Sequence, residues 1–357
     1  MIESKAAKVL RAAGLWQWFC SFDSLGLKAT WIDTRLGWSS MTLSSPSSSA
    51  PDAGQGAALP PPTRPSIAII GLGRVGMVLG RALHAAGYPL VAVSSRSPAK
   101  AQAAAALFQA EAATPIVAAQ AADLTLLTIS DDAIPGVVAE LAVAGAWHAG
   151  QSVVHASGVS PAAVLAPAAA HGAAIGALHP LAAFASPETT LPPGLTFAIE
   201  ATGTLHAQLW AMARALGGYP FDLDPADKTL YHAAAVIASN YTVTLAALAS
   251  ELFVRMGAAP EEALRALVPL MRTTLDNMER QGLPQALTGP LLRGDVSTVQ
   301  RHLAALDESV PRVGALYRCL AHGTLPLAQQ RGLPSDMAGA LQDLITLPGE
   351  MVVEREV

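Results

Sequence analysis

Residues 66–76 read Ser-Ile-Ala-Ile-Ile-Gly-Leu-Gly-Arg-Val-Gly. The apolar run Ser66–Gly71 has the length and content of a fully buried strand. Gly71-Leu72-Gly73-Arg74-Val75-Gly76 follows at once, and Val75, Val78, Leu79, Ala82 and Leu83 then recur at helical spacing up to Ala86. A second apolar run, Leu90–Ser95, comes next. A G-x-G-x-x-G between a strand and a helix, inside a βαβ unit, predicts a dinucleotide site. Gly71 permits the tight turn, Gly73 lets a pyrophosphate approach the backbone, and Gly76 lets the helix pack close to the strand. The helix start offers free N–H groups and a positive dipole end to the phosphates.

The end of the second strand selects the coenzyme. A site for NAD places a carboxylate there to bind the ribose 2′-hydroxyl. This chain has Ser94-Ser95-Arg96-Ser97 instead. Arg96 can grip a 2′-phosphate with two hydrogen bonds, the serines can donate to it, and Arg74 can reach the same group. The expected cofactor is therefore NADP(H). The plain alternative for Arg96 is a solvated loop cation.

Working outward, strands alternate with helices. Leu124–Ser130, Ser152–His155, Ala173–Leu178, Leu195–Ala201 and Tyr219–Leu223 read as strands, with helices expected from Asp131-Asp132 to about Ala144 and over Leu205–Leu216. Asp131 and Asp132 are expected to cap the helix they open. The pattern predicts an α/β fold with a doubly wound, mostly parallel Rossmann sheet over residues 66–224. Ligands meet such sheets at the carboxyl ends of their strands, which points to Ser130, Ser157, Gly158, His179 and Pro180.

After Pro225 only helical periodicity remains, so an all-α C-terminal domain is expected over residues 225–346, followed by a tail over 347–357. One long helix covers about Asp227–Met256, and others cover Glu261–Gln281 behind Pro260, Val296–Leu306 behind Asp295, and Pro311–Gln330. The stretch Ala233–Val254 is apolar enough to suggest a membrane span, but six polar residues interrupt it, from Ser239 to Glu251. A helix buried between protein layers fits better.

At the other end, residues 43–65 are dominated by Ser, Pro, Gly and Ala and read as a linker. Residues 1–40 hold four of the six tryptophans, Trp16, Trp18, Trp31 and Trp38. They read as an extension upstream of Met41 with no selected structure, or else as a peripheral amphipathic anchor. Residues 1–65 are thus expected to be a disordered or spurious extension.

Composition narrows the function. Of 357 residues, 14% are charged and 52% hydrophobic, with a net charge of −5. Mild acidity argues against nucleic acid as a partner. Cys20 and Cys319 form neither a disulfide framework nor a metal cluster, and no Ser–His–Asp order or P-loop is present. No secretory leader is legible, so the expected location is the cytoplasm, with no membrane partner.

The stretches IAIIGLGRVG, HASG at 155–158, GALHPLAAFA at 176–185, YHAAAVIASNY at 231–241 and LTGPLLRGD at 287–295 together mark a family. With them the chain resembles the Rossmann-like proteins that carry the C-terminal domain of unknown function 2520. These are similar in architecture to ketopantoate reductase, pyrroline-5-carboxylate reductase and the β-hydroxyacid dehydrogenases. The resemblance implies NADP(H) binding, oxidoreductase activity and a homodimer assembled through the C-terminal helices. It implies no particular substrate.

The expected reaction is hydride transfer to a small carbonyl or imine compound, which needs a proton donor beside the nicotinamide. His179, at a strand end, can give that proton, or it can be a structural histidine bonded to backbone. Ser157-Gly158 is expected to make room for the nicotinamide ring. On the long helix, His232 and Ser239 lie ~20° apart and share a face with Asn240. The similar enzymes use a Lys and an Asn four residues later on the corresponding helix. Val236 stands four before Asn240, so that lysine is missing, and Lys228 is too far back to replace it. His232 can take its place and Asn240 can orient a substrate oxygen; the alternatives are a packed core histidine and a helix–helix hydrogen bond. Arg293 offers either an anion contact or a loop salt bridge. A non-catalytic NADP(H) sensor is the competing reading of the whole chain.

Overall fold

The structure is a computed structural model that describes residues 64–346 and, ahead of them, only the antiparallel backbone pairing of Phe19–Asp23 with Gly26–Thr30. Apart from that hairpin, the expectations for the N-terminal extension, the linker and the tail lie outside the described residues. The described chain divides into two compact units, residues 64–244 and 245–346.

The first unit is built on one sheet of eight strands: β1 Ile67–Ile70, β2 Leu90–Ser94, β3 Glu111–Ala112, β4 Leu124–Leu127, β5 Ser152–His155, β6 Ala174–Pro180, β7 Thr196–Glu200 and β8 Tyr219–Asp222. Their spatial order is β8-β7-β6-β5-β4-β1-β2-β3. Neighbours run parallel except β6 and β7, which are antiparallel. The exception has a simple cause. No helix lies between Pro180 and Thr196 to return the chain to its starting edge, so β7 runs back against β6. Strand β3 went unforeseen because two exposed residues carry no periodicity.

Helices cover both faces: α1 Arg74–Ala85, α2 Pro98–Phe108, α3 Pro115–Gln120, α4 Ile134–Val143, α5 Ala166–Ala169 and α6 Gly203–Ala215. Alternate residues of β1 feed two separate cores. Ile67 and Ile69 pack with Leu79, Phe108 and Leu209, while Ala68 and Ile70 pack with Ala118, Val138 and Leu165. This is the expected doubly wound α/β architecture.

Two local expectations are corrected. Asp131 and Asp132 form a 3-10 turn ahead of α4 whose N-cap is Ser130, and no side chain caps it. The carboxylates therefore stay exposed at the end of β4. The single long helix is interrupted: α7 Lys228–Ala238 ends at Ser239, whose φ of −110° and ψ of −69° distort the right-handed helical turn, and α8 Asn240–Arg255 resumes. Just beyond the break, Thr242 Oγ1 donates to the Ala238 carbonyl at 2.9 Å, a back-bond that bends helices.

The second unit contains the rest of α8 and α9 Pro260–Gln281, α10 Val296–Ser309, α11 Pro311–Gln330 and α12 Ser335–Ile345. Asp295 caps α10 through Thr298 N–H at 3.1 Å, as expected. The last helix, α12, was not anticipated; its Ala338, Leu341 and Ile345 join the core of α10 and α11. The run Pro225–Arg255 is long and apolar enough to cross a membrane, and none of its most apolar window is buried within this chain. The expected burial between layers of the protein is therefore not supplied by the described residues. Ile237, Val243 and Met256 are 62%, 70% and 72% exposed.

The turn after β1 decides whether the first unit can form. A Cβ on Gly76 would lie 2.0 Å from the Gly71 carbonyl oxygen and 2.5 Å from Thr128 Oγ1. Gly71 itself has φ of +106°, and a Cβ there would meet the Thr128 carbonyl at 2.7 Å. A Cβ on Gly73 meets nothing within 4 Å. Gly76→Ala should thus cost roughly 2 kcal/mol or more, and Gly73→Ala almost nothing. Urea denaturation of the two variants compares them directly, and equal midpoints would contradict the packing described.

Candidate active site at the carboxyl ends of the strands

The order β2-β1-β4-β5-β6 places five strand ends in one row. Four inter-strand steps of ~4.8 Å give that row a length of roughly 19 Å. The row carries, in turn, Ser95-Arg96, the glycine turn, Ser130-Asp131, Ser157-Gly158 and His179. The sheet order reverses between β1 and β4, which is the crevice where open α/β sheets take ligands.

Around the glycine turn, chemistry is left to the backbone. Leu72 is buried in the core, and Gly71 N–H is taken by the Ser94 carbonyl at 2.9 Å. Helix α1 begins at Arg74 behind Gly73, with no side-chain cap and no acidic residue in its first turn. Its early N–H groups and the open space over Gly73 suit an anionic pyrophosphate. Val75 is half-buried against the core. Arg74 and Arg96 are exposed on either side of this turn. Ser95 Oγ accepts Ser97 N–H at 3.2 Å, and the Ser94 side chain is buried in the sheet. Of the residues expected to meet a 2′-phosphate, Arg74 and Arg96 have exposed side chains with no hydrogen bond among the described residues, Ser95 is partly engaged, and Ser94 contributes its carbonyl to the turn. The residues present fit a phosphorylated dinucleotide.

The other end of the row is built from β5, β6, β7 and the start of α7. His155 is fully buried. Its Nε2 donates to the Pro161 carbonyl at 3.3 Å and its Nδ1 accepts Ser157 N–H at 3.2 Å. Burial, with Lys228 nearby, drops its pKa to about 4. Ser157 Oγ accepts Val159 and Ser160 N–H at 3.3 and 3.0 Å and so shapes the turn. Gly158 makes room, but for a residue of this chain: a Cβ there would lie 2.8 Å from the His179 ring.

His179 lies within β6, one residue before its end, and its Nδ1 is 2.7 Å from Tyr231 Oη. The two rings meet edge to face, with centroids 5.5 Å apart. Burial is the main reason that the His179 pKa falls to about 4; His232, Lys228 and His155 add to the fall and Asp131 opposes it. Burial pushes Tyr231 up to about 12. At neutral pH His179 is an uncharged imidazole and Tyr231 a protonated phenol. His179 is therefore not a ready imidazolium acid, contrary to what its residue type suggested. His232, next along α7, has a buried Nδ1 with no hydrogen-bond partner among the described residues.

Asn240 is not brought to this group. It is exposed and stands nine residues past Tyr231, roughly 14 Å along a helical path. Tyr231 enters the sequence reading only as the first residue of the stretch 231–241. The signal that could have found it is its place one turn after Lys228 on a helix beginning just beyond the sheet. No group of three or more His, Cys, Asp or Glu among the described residues could hold a metal ion.

Comparison with known proteins agrees with this layout. Residues 50–180 match the family model of a Rossmann-like domain, and residues 195–324 match that of a domain of unknown function, DUF2520. A crystal structure from Bacteroides fragilis, provisionally named an NADP oxidoreductase, is 27% identical with a TM-score of 0.59. The match covers 72% of this chain and 97% of that one. A Thermotoga maritima protein shares the fold at 21% identity and TM-score 0.60, over 74% of this chain and 99% of that one. So does a reductive aminase from Aspergillus terreus, solved with NADPH and ethyl-5-oxohexanoate, at 20% identity and TM-score 0.50, over 79% and 93%. No curated protein matches the sequence.

The buried histidines make stability depend on pH. Unfolded, each titrates near 6.5; folded, His155 and His179 titrate at about 4. The unfolded chain binds more protons in that window, so their contribution is complete above pH 6.5 and is lost as pH falls toward 4. At ~1.4 kcal/mol per unit, each histidine accounts for up to about 3 kcal/mol. The urea midpoint should fall between pH 7.5 and pH 5, and less steeply in His179→Asn. A midpoint that stays level over that range would exclude buried neutral histidines.

Proposed function

We propose that this chain, in which a DUF2520 domain follows a Rossmann-like domain, is an NADP(H)-dependent oxidoreductase acting on a small carbonyl or imine compound. The observation that carries the reading is the Tyr231–His179 contact of 2.7 Å, set in the same row of strand ends as the glycine turn. Reduced nicotinamide, when bound, supplies a hydride. Gly71–Gly76 would hold the pyrophosphate, with Arg74 and Arg96 on the 2′-phosphate. Ser130 and the Ser157-Gly158 turn lie between these residues and His179.

The chain's own part is to hold and move a proton. With its proton on Nδ1, neutral His179 donates to Tyr231 Oη and leaves the phenolic O–H free to give its proton to the substrate heteroatom. The hydrogen bond then steadies the phenolate until water restores the proton. His232 Nδ1, buried and unpartnered, is a group that a substrate polar atom would satisfy. These uncharged donors suit a polar, unsaturated C=O or C=N group.

A homodimer through the C-terminal helices belongs to the same proposal. Its support is the uncovered apolar side chains along α7, α8 and α9, including Leu230, Ile237, Val243 and Leu270. A cytoplasmic location goes with it. The competing reading, a non-catalytic NADP(H) sensor, is favoured by Val236 at the place of the usual lysine and by the exposed Asn240.

NADPH oxidation over a panel of keto acids, aldehydes and imines tests the proposal. Tyr231→Phe and His232→Ala should each lower kcat by about 10²-fold or more with NADPH affinity kept. Arg96→Ser should weaken NADPH more than NADH, by roughly tenfold. Turnover unaffected by both Tyr231→Phe and His232→Ala would remove the assigned roles, and tight NADPH binding without turnover on any compound would favour the sensor. Light scattering should give twice the chain mass; a monomer would remove the dimer.

A further inference from the structure

Lys228 is the charged residue that the proposed chemistry leaves unused. Only 2% of it is exposed, although lysine is rarely buried. Its Nζ donates to the Ser160 carbonyl at 2.6 Å and lies 3.1 Å from Glu200 Oε2. Both Glu200 oxygens in turn accept Ala162 N–H at 2.9 Å. Three elements therefore meet at one ion pair: the loop after β5, the last residue of β7, and the first residue of α7.

The sheet order makes this arrangement specific. Strand β6 runs between β5 and β7, so the Ser160–Lys228–Glu200–Ala162 links connect the two strands that flank His179. The same loop contains Gly158, which lies against the His179 ring. Tyr231 comes one turn after Lys228 on α7, on the same side of the helix. Anchoring the helix start therefore sets where the phenol lands.

We infer that Lys228 is a positioning residue of the candidate site, clamped by Ser160 and Glu200 so that α7 delivers Tyr231 Oη to His179 over Gly158. It does not stand in for the absent lysine of the similar enzymes, because it lies eight residues before Val236 and is held in its burial site by Ser160 and Glu200, which engage two of its three donors. The inference deepens the proposed function and rests on that reading for its purpose, but its geometry can be tested without turnover.

The test is a mutant cycle read by NMR on the full chain with labelled histidine. His179 is assigned through His179→Asn, and its titration is followed with and without Tyr231→Phe. Asp131, His155, His232 and Lys228 all act on His179 electrostatically, so only the effect of Tyr231→Phe is compared between backgrounds, never the absolute midpoint. In the natural background Tyr231→Phe should move the midpoint by roughly half a unit or more. In Lys228→Met/Glu200→Gln, which removes both buried charges and so avoids leaving one unpaired, the same change should move it about not at all. Lys228→Arg, which keeps a cation and its donors, should restore part of the response. An equal response to Tyr231→Phe in the natural and the doubly substituted backgrounds would overturn the inference. Should the double variant fail to fold, Lys228→Arg and Glu200→Gln alone decide: responses as large as the natural chain's in Glu200→Gln would overturn it, and a diminished response there with recovery in Lys228→Arg would support it. NADPH titration of each folded variant reads separately, since absent binding to the natural chain would remove the proposed function and leave the cycle intact.

Discussion

The backbone after the first strand passes so close to β4 that no side chain fits between them. Gly76 lies against the Gly71 carbonyl, and Thr128 Oγ1 donates to that same carbonyl at 2.5 Å. This approach ties β1, α1 and β4 together at the point where the strand order reverses. It places the start of α1, with its uncapped N–H groups, in the crevice and sets the direction in which the remaining strand ends line up. Every other feature of the candidate site takes its position from that turn, because β2, β5 and β6 are registered outward from β1 and β4 by ladder hydrogen bonds.

The electrostatic character of the site follows from burial more than from residue type. Two histidines at adjacent strand ends are held neutral, and a tyrosine is held protonated, because charge is costly where they sit. The lysine beside them has its basicity lowered by burial, and pairing with Glu200 offsets part of that loss. The uncharged imidazoles and phenol stand at one end of the row of strand ends, and the uncapped start of α1 with exposed Arg74 and Arg96 stands at the other.

The helical half shows a different balance. Its cores are small clusters, Val299 with Leu303, Leu325 and Leu341, and Leu306 with Val310 and Val313. Of α9, 22 residues long, only Ala263 and Leu267 are buried. The apolar side chains left uncovered on α8 and α9 exceed what scattered surface residues explain. The sequence as a whole is 52% hydrophobic, but which apolar residues stay uncovered could not be read from it, because helical periodicity alone does not say which apolar face is filled from within the chain.

Local patterns in the sequence determined seven of the eight strands of the sheet, the glycine turn and the helices with clear periodicity or caps, since runs of buried residues, caps and turn glycines are short-range signals. The two-residue β3 and the helices α2, α3, α5 and α12 were not read from it. The absence of a carboxylate after β2 was equally plain. Tertiary structure alone decided the rest. The reversed β7 depends on what the chain between residues 180 and 196 lacks. Tyr231 meets His179 across 52 residues of sequence. Gly158 serves the His179 ring, and Lys228 is engaged by Ser160 and Glu200, contacts that bring together segments distant in the chain. Which partner a side chain finds, and hence whether it is charged, depends on burial, and burial is a property of the assembled sheet and not of any stretch within it.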